Sequence, residues 1–206
     1  MAGKNTAIVL AAGQGKRMHS KIQKQFLEIQ GHPVLYYSLR CFQDSPLIHE
    51  IILVTGEESV SYCKEEIVKK YGFTKVTAVI PGGKERYDSV YAGLCACEEC
   101  EYVLIHDGAR PFITEEILEC GLHKVKETGA CVTGMPSKDT IKLADEDGFV
   151  KETPDRKSAW IIQTPQIFSY SLIRNAHESI RRKDMSSITD DAMVVEDYGN
   201  HEVWLY

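Results

Sequence analysis

At 206 residues and a formal net charge of −6, the chain is long enough for one domain with a substantial core and lacks the broad basic surface of a general nucleic-acid binder. A hydrophobic share of 43% with 26% charged residues is ordinary for a soluble globular protein. No apolar run reaches the roughly 18 residues of a membrane span, and no secretory or transit segment is legible at the N-terminus. Seven cysteines, an odd number, suit a reducing compartment better than a disulfide framework. The expected location is therefore cytoplasmic, with neither nucleic acid nor membrane as partner.

The first expected element is a strand over Ala7–Ala12, an apolar run without charge that reads as buried on both faces. It breaks at Gly13 and Gly15, where the backbone can turn and approach a ligand closely. Lys16, Arg17, Lys21 and Lys24 follow, and the first 27 residues hold no acidic side chain. A buried strand, a glycine turn and local positive charge suit an anion, most often a phosphate. Pro33 opens a helix through Leu39 to Phe42, proline being well suited to a first turn. Glu50–Thr55 is a second buried strand, 57–70 a charged helix, and Thr74–Ile80 a third strand ended by Pro81, Gly82 and Gly83. Residues 85–97 form a helix with Val90, Leu94 and Cys97 on one side. Cys95, Cys97 and Cys100 lack a fourth ligand of matching spacing and read as small core residues. Tyr102–His106 is a fourth strand, followed by the loop Asp107-Gly-Ala-Arg-Pro111. Thr114 caps a helix to about Thr128, where a glutamate at the third helical position is expected to complete a capping box. Ala130–Met135 is a fifth strand.

From 136 the rhythm changes. Lys138–Leu143 and Phe149–Thr153, around a turn containing Gly148, read as a hairpin. Such a ribbon has too little core to stand alone, so a second subunit is expected to pack on it. Ile161–Thr164 returns to a strand, Phe168–Arg182 is an amphipathic helix, Thr189–Glu196 a short helix and His201–Tyr206 strand-like. The fold class is α/β: an open, mostly parallel (Rossmann-like) sheet with helices on both faces and a protruding β-hairpin arm. It makes one domain over 1–206, with 137–155 as the arm. Ligands of such sheets bind outside the carboxyl ends of the strands. The loops at 13–24, 81–89 and 107–112 all follow strands and fall on that edge.

Gly13-x-Gly15 is neither a phosphate-binding Walker loop nor a full dinucleotide fingerprint. With Arg17 and Lys24 beside it, a triphosphate site is favoured over a plain turn, since a guanidinium forks onto phosphate oxygens and an ammonium adds a compact, movable charge. Gly82, Arg86 and Ser89, at a helix entry on the ligand edge, suit a base or sugar. Asp107 and Arg110 read either as a structural ion pair or as a carboxylate that helps hold Mg²⁺. Asp155, Arg156, Thr164 and Gln166, taken alone, read as surface residues. Asp190 and Asp191 read as complements to a helix dipole. The chain has no nucleophile elbow and no zinc-protease motif. Cations and glycine loops without a nucleophile fit direct phosphoryl-type transfer, in which catalysis is positioning plus charge stabilisation.

LAAGQGKRM with KQF, PGGKERYDSV, HDGARPF, KDTIK, TPDRKSAWIIQTPQIF and TDDA, in that order, resemble the 2-C-methyl-D-erythritol 4-phosphate cytidylyltransferase family of non-mevalonate isoprenoid precursor synthesis. The resemblance runs from about Thr6 to Glu196, and the ordered set is more specific than any single motif. It implies transfer of a cytidylyl group from CTP to methylerythritol phosphate with Mg²⁺, by in-line attack of the sugar phosphate on the α-phosphorus. Arg17 and Lys24 match the catalytic stabilisers of transition-state charge. Ala11, Ala12, Gly13 and Gly15 match the loop around the triphosphate, and Gly82, Arg86 and Ser89 the cytidine side. Asp107, Arg110, Thr140, Arg156 and Thr164 match positions around the sugar phosphate. The resemblance also implies a homodimer whose arms clasp each other, with Thr140 and Arg156 acting on the neighbour's site. A ribitol-5-phosphate cytidylyltransferase is the nearest alternative; the Gly-Ala of HDGARPF and the TPDR…QTPQ run favour methylerythritol. The family pattern continues past the last strand into an Asn-Ile-Lys segment and a further helix, which these 206 residues do not include. That departure motivates a third reading, a non-catalytic CTP-binding relative.

Overall fold

The computed structural model describes residues 3–13, 22–98, 100–181 and 188–206. Gly15, Lys16, Arg17 and Lys21 lie outside them, as does Arg182, the expected end of a helix. Strand β1 (Lys4–Ala11) forms the axis of the sheet, with Ala7, Ile8 and Val9 fully buried. It pairs in parallel with β4 (Glu50–Thr55) on one side and β6 (Cys100–Asp107) on the other. Beyond β4 lies β5 (Val76–Pro81), also parallel. On the other flank β10 (Trp160–Ser169) runs antiparallel between β6 and β7 (Ala130–Pro136), and β11 (Trp204–Leu205) closes the edge parallel to β7. Among the described residues the sheet has seven strands in the order β11-β7-β10-β6-β1-β4-β5. Two two-residue strands, β2 (Glu28–Ile29) and β3 (His32–Pro33), form a small separate ribbon.

Helices cover both faces, as the alternating pattern predicts. Odd-numbered β1 residues Ala7 and Val9 meet Leu35, Leu39 and Phe42 of α1 (Val34–Asp44) and Leu118 and Leu122 of α4 (Glu115–Thr128). Ile8, with Ile52 and Ile105, meets Val90 and Leu94 of α3 (Arg86–Ala96), Ile173 and Ala176 of α5 (Tyr170–Ile180), and Val194 and Val195 of α6 (Asp191–Tyr198). Burial of each of the larger of these side chains, valine upward, contributes about 1.5–3 kcal/mol. The charged stretch after β4 is a composite: a 3₁₀ turn at Glu57–Ser59, a short α2 (Val60–Tyr62) and a π-helical run, Cys63–Lys69. The wider run still puts Cys63 and Ile67 into the core.

Several expectations need correction. Cys95, expected in the core with Cys97, is exposed. The helix expected from Phe168 starts at Tyr170, because Ile167 and Phe168 pair with Leu104 and Val103 as part of β10. Pro165 hid this continuity. It sits where the β10–β7 register shifts between Ile162 and Gln166, a place where a missing N–H is tolerated. Helix α4 has no capping box: Thr114 Oγ1 accepts from Ile117 N at 3.4 Å, and an isoleucine at that third position cannot reach back. The capping box belongs to α3, formed by Glu85 and Asp88. Gln166 is buried and not a surface residue. The hairpin is present as β8 (Leu143–Ala144) and β9 (Val150–Glu152), shorter than expected and exposed along its length.

Candidate active site

The carboxyl end of β1 is held open by a side chain the sequence left unassigned. Gln25, in a 3₁₀ turn at Lys24–Phe26, is buried and donates from Nε2 to Ala11 O at 2.6 Å and Gly13 O at 3.1 Å. The two ends of the loop are thereby tied together, and Lys24 is exposed beside them. Ala12 is half-buried and Gly13 exposed, and a Cβ on Gly13 would meet nothing within 4 Å. Glycine there leaves the backbone open to a ligand. Gln25→Ala leaves the buried Ala11 carbonyl without its donor and unties the carbonyl of Gly13. The expected cost is about 1–3 kcal/mol of stability, read as a lowered urea midpoint, together with weaker CTP binding by calorimetry; unchanged CTP affinity contradicts the clamp.

The second loop packs directly on the first. Gly82 N donates to Thr55 O at 2.7 Å and Gly83 N to Ser89 Oγ at 3.1 Å. A Cβ on Gly82 would lie 2.5 Å from Ser89 Oγ and 2.9 Å from Ala12 Cβ. No side chain fits, so glycine is what lets the two loops share one edge.

Arg86, at the first position of α3, reaches across to the third loop. Its Nε lies 3.4 Å from Asp107 Oδ1, and its Nη1 donates to Asp191 Oδ2 at 2.7 Å. Asp107 Oδ2 accepts from Arg110 Nε at 3.1 Å, and Arg110 Nη1 donates to Gln163 Oε1. A line of alternating charges, Asp191–Arg86–Asp107–Arg110, thus crosses the ligand edge. Burial works against the Arg86 charge, but Asp191 and Asp107 outweigh it and hold its pKa above the ordinary value. Burial likewise opposes the Asp191 carboxylate, and Arg86 and His177 more than compensate, keeping its pKa below normal.

Thr164 is held by the same loop. Its Oγ1 accepts from Asp107 N at 3.2 Å and lies 3.0 Å from His106 Nδ1, while His106 Nε2 lies 3.1 Å from Arg110 O. A neutral imidazole protonated on Nε2 satisfies every partner, with the Thr164 hydroxyl donating to Nδ1. Burial pushes the His106 pKa down from 6.5 to about 4, against the pull of Asp107. Between these values the unfolded chain binds the proton and the fold does not, so stability falls as pH drops from about 6.5 to 4. The loss is on the order of 3 kcal/mol. Urea titrations across that range should show a shallower decline in His106→Gln than in the unaltered chain.

A cleft of about 710 Å³ opens beside these residues, lined by His106, Arg110, Phe112, Met135, Gln163 and Thr164 among others. Ala11, Ala12, Gly13, Gly82 and Ser89 therefore lie together on one side of the edge, Asp107, Arg110 and Thr164 on the other, and Arg86 spans them. Thr140 of the arm pairs with Arg156, which directly follows the arm, Oγ1 accepting from Nη2 at 3.3 Å. Gly15 and Arg17 fall outside the described residues.

The 2-C-methyl-D-erythritol 4-phosphate cytidylyltransferase model matches residues 5–204. The chain belongs to that family. A relative of that name from Lachnospira eligens is 52% identical over 202 residues, 98% of this chain and 88% of its own. Another from Lachnoclostridium phytofermentans is 49% identical, covering 98% and 86%. The solved structure of 4-diphosphocytidyl-2C-methyl-D-erythritol synthase from Anaerococcus prevotii superposes with a TM-score of 0.87 at 32% identity, over 99% of this chain and 86% of its own. These relatives are all named for methylerythritol, and the ribitol alternative is not favoured. The cytidylyltransferase fold thus agrees with the α/β sheet expected from the sequence. Sequence reasoning missed Gln25, Gln163 and Asp191, because each acts through a partner distant in the chain. The run TDDA marked Asp191 within the family pattern but carried no signal that its carboxylate turns inward.

Proposed function

We propose that the chain transfers the cytidylyl group of CTP to 2-C-methyl-D-erythritol 4-phosphate, giving CDP-methylerythritol and pyrophosphate. The observation that carries this reading, beside family membership, is the Arg86–Asp107–Arg110 line joining the glycine-loop half of one sheet edge to the half that holds Arg110 and Thr164. A phosphate oxygen of the sugar phosphate forms the new bond to the α-phosphorus, and the bond to the bridging oxygen breaks in line, its electron pair leaving with pyrophosphate. Negative charge grows on the α-phosphate oxygens, where fixed cations are most effective. Lys24 and Arg17 supply that charge. The backbone of Ala11, Ala12, Gly13 and Gly15 cradles the triphosphate, and Gly82, Arg86 and Ser89 hold the cytidine. Asp107, Arg110 and Thr164, with Thr140 and Arg156 from a partner subunit, hold the sugar phosphate.

Mg²⁺ enters this reading with the triphosphate. Both Asp107 oxygens face guanidinium nitrogens, and no three His, Cys, Asp or Glu among the described residues form a metal site. A cation on Asp107 alone does not fit that arrangement, and no step runs through protein-held metal. The arm over 137–155 is the proposed dimer contact. It presents Leu143, Phe149 and Val150 to solvent, Phe149 at 73% exposure, more apolar surface than a free ribbon needs. No described helix is long and apolar enough to cross a membrane, and a cytoplasmic location is part of the proposal. Pyrophosphate release from CTP and Mg²⁺ with methylerythritol phosphate, set beside ribitol 5-phosphate, tests the reading. Release with the first and little with the second is expected. Equal or faster turnover of ribitol phosphate overturns the substrate, and CTP binding with no release from either overturns the activity.

A further inference from the structure

We infer that Asp191 is a positioning residue for the nucleotide, acting by fixing the Arg86 guanidinium against the site from behind. The inference rests on the proposed cytidine-side role of Arg86. Asp191 opens α6, yet the helix does not need its carboxylate. Asp190 is the cap, accepting from Met193 N at 3.0 Å. The amide N–H groups of Asp191 and Ala192 are taken by Gln166 Oε1 at 3.0 and 3.2 Å, and Gln166 Nε2 donates to Asp190 at 2.9 Å. This buried glutamine clamps the start of α6, so the Asp191 carboxylate has a fixed origin and is free to turn inward.

What it turns toward is Arg86. The carboxylate is 1% exposed, and its Oδ2 takes Nη1 at 2.7 Å, shorter than the 3.4 Å from Arg86 Nε to Asp107. Its other oxygen faces His177 Nε2 at 3.5 Å, beyond a good hydrogen bond. Those two atoms are the buried side-chain polar atoms left without a hydrogen bond among the described residues. A carboxylate kept only for stability would have both oxygens satisfied, since burying an under-paired charge is costly. Here the strong contact goes to one group. With Nη1 held by Asp191 and Nε facing Asp107, the planar fork of Arg86 has its orientation set on two sides. Among the described residues Nη2 has no hydrogen-bond partner, and it is the arm that the inference assigns to the nucleotide.

The test compares Asp191→Asn, which keeps the shape, with Arg86→Ala and with the double variant, in full chains carrying no other change. CTP affinity is read by calorimetry, and KM for each substrate and kcat by pyrophosphate release. Asp191→Asn should weaken CTP binding by about tenfold, the equivalent of one charge-assisted hydrogen bond. KM for the sugar phosphate and kcat should stay within about threefold of the unaltered chain, and the substitution should have no further effect once Arg86 is alanine. A lowered melting temperature with unchanged CTP affinity makes Asp191 merely structural and overturns the inference. So does a loss of CTP affinity that persists undiminished in the Arg86→Ala background. If Arg86→Ala itself leaves CTP affinity unchanged, the cytidine-side reading of Arg86 fails, and the inference falls with it. Calorimetry keeps the comparison readable even if the unaltered chain turns nothing over, a failure of the proposed activity alone.

Discussion

Lys24→Ala should lower kcat by about 2–4 kcal/mol in the barrier, between roughly thirty-fold and a thousand-fold, while CTP binding weakens far less. The structural basis is the contrast between Lys24 and its neighbour. Gln25 is buried and ties the loop ends together, whereas Lys24, one residue earlier in the same turn, is exposed. Among the described residues no ion pair or hydrogen bond holds its ammonium. Removing it therefore takes away no contact that the described fold depends on, and the melting temperature should change little. A charge at the rim of the triphosphate loop has most to offer when negative charge builds on the α-phosphate. Single-turnover pyrophosphate release, paired with CTP calorimetry, separates the two effects. A loss seen only in CTP affinity would place Lys24 in ground-state binding and remove it from the chemical step.

The second large effect is on stability. Arg86→Ala removes the partner of a carboxylate that is 1% exposed. Breaking a buried pair from one side costs about 3–5 kcal/mol, because the remaining charge stays buried. The lower end is expected, since Arg86 itself keeps 32% of its side-chain surface in water. Adding Asp191→Asn to Arg86→Ala should recover most of the loss, as no charge is then left unpaired. The pH dependence carries the same signature. Asp191 has a depressed pKa in the fold, so its stabilisation is present above the ordinary carboxylate range and is lost as pH falls through the lower, folded value. In Arg86→Ala the buried carboxylate loses its main partner and is relieved by protonation, so the stability gap between the variant and the unaltered chain should narrow as pH falls. Urea midpoints from pH 7 downward test this, and parallel curves for the two proteins would contradict it.

The glycine loops and the strands they follow were legible because each signal is local. The uncharged run Ala7–Ala12 reads as a buried strand, and β1 runs through Ala11; Gly82 in Pro81-Gly-Gly lies in the loop that leads into α3. The boundary near Phe168 was misplaced for an equally local reason: Pro165 ends a pattern on paper, while in the sheet it falls at a register shift where its missing N–H costs little. The arm was legible as a ribbon without a core, but its exposed Phe149 and Val150 say what it lacks, not what covers it.

The basic, acid-free opening of the chain, the order of the motifs and the alternation of strand and helix belong to the sequence alone, and they suffice for the α/β sheet, the ligand edge and the family. They do so because hydrophobic period, glycine geometry and charge act within a few residues. Which carboxylate each arginine meets is a different kind of fact. Asp191 stands 105 positions from Arg86 and reaches it only because α3 and α6 pack on the same face of the sheet. Gln25 becomes a clamp only when its turn folds back on the end of β1. Such pairings depend on the direction of a side chain from an element whose position the whole core decides, and only the tertiary structure could supply them.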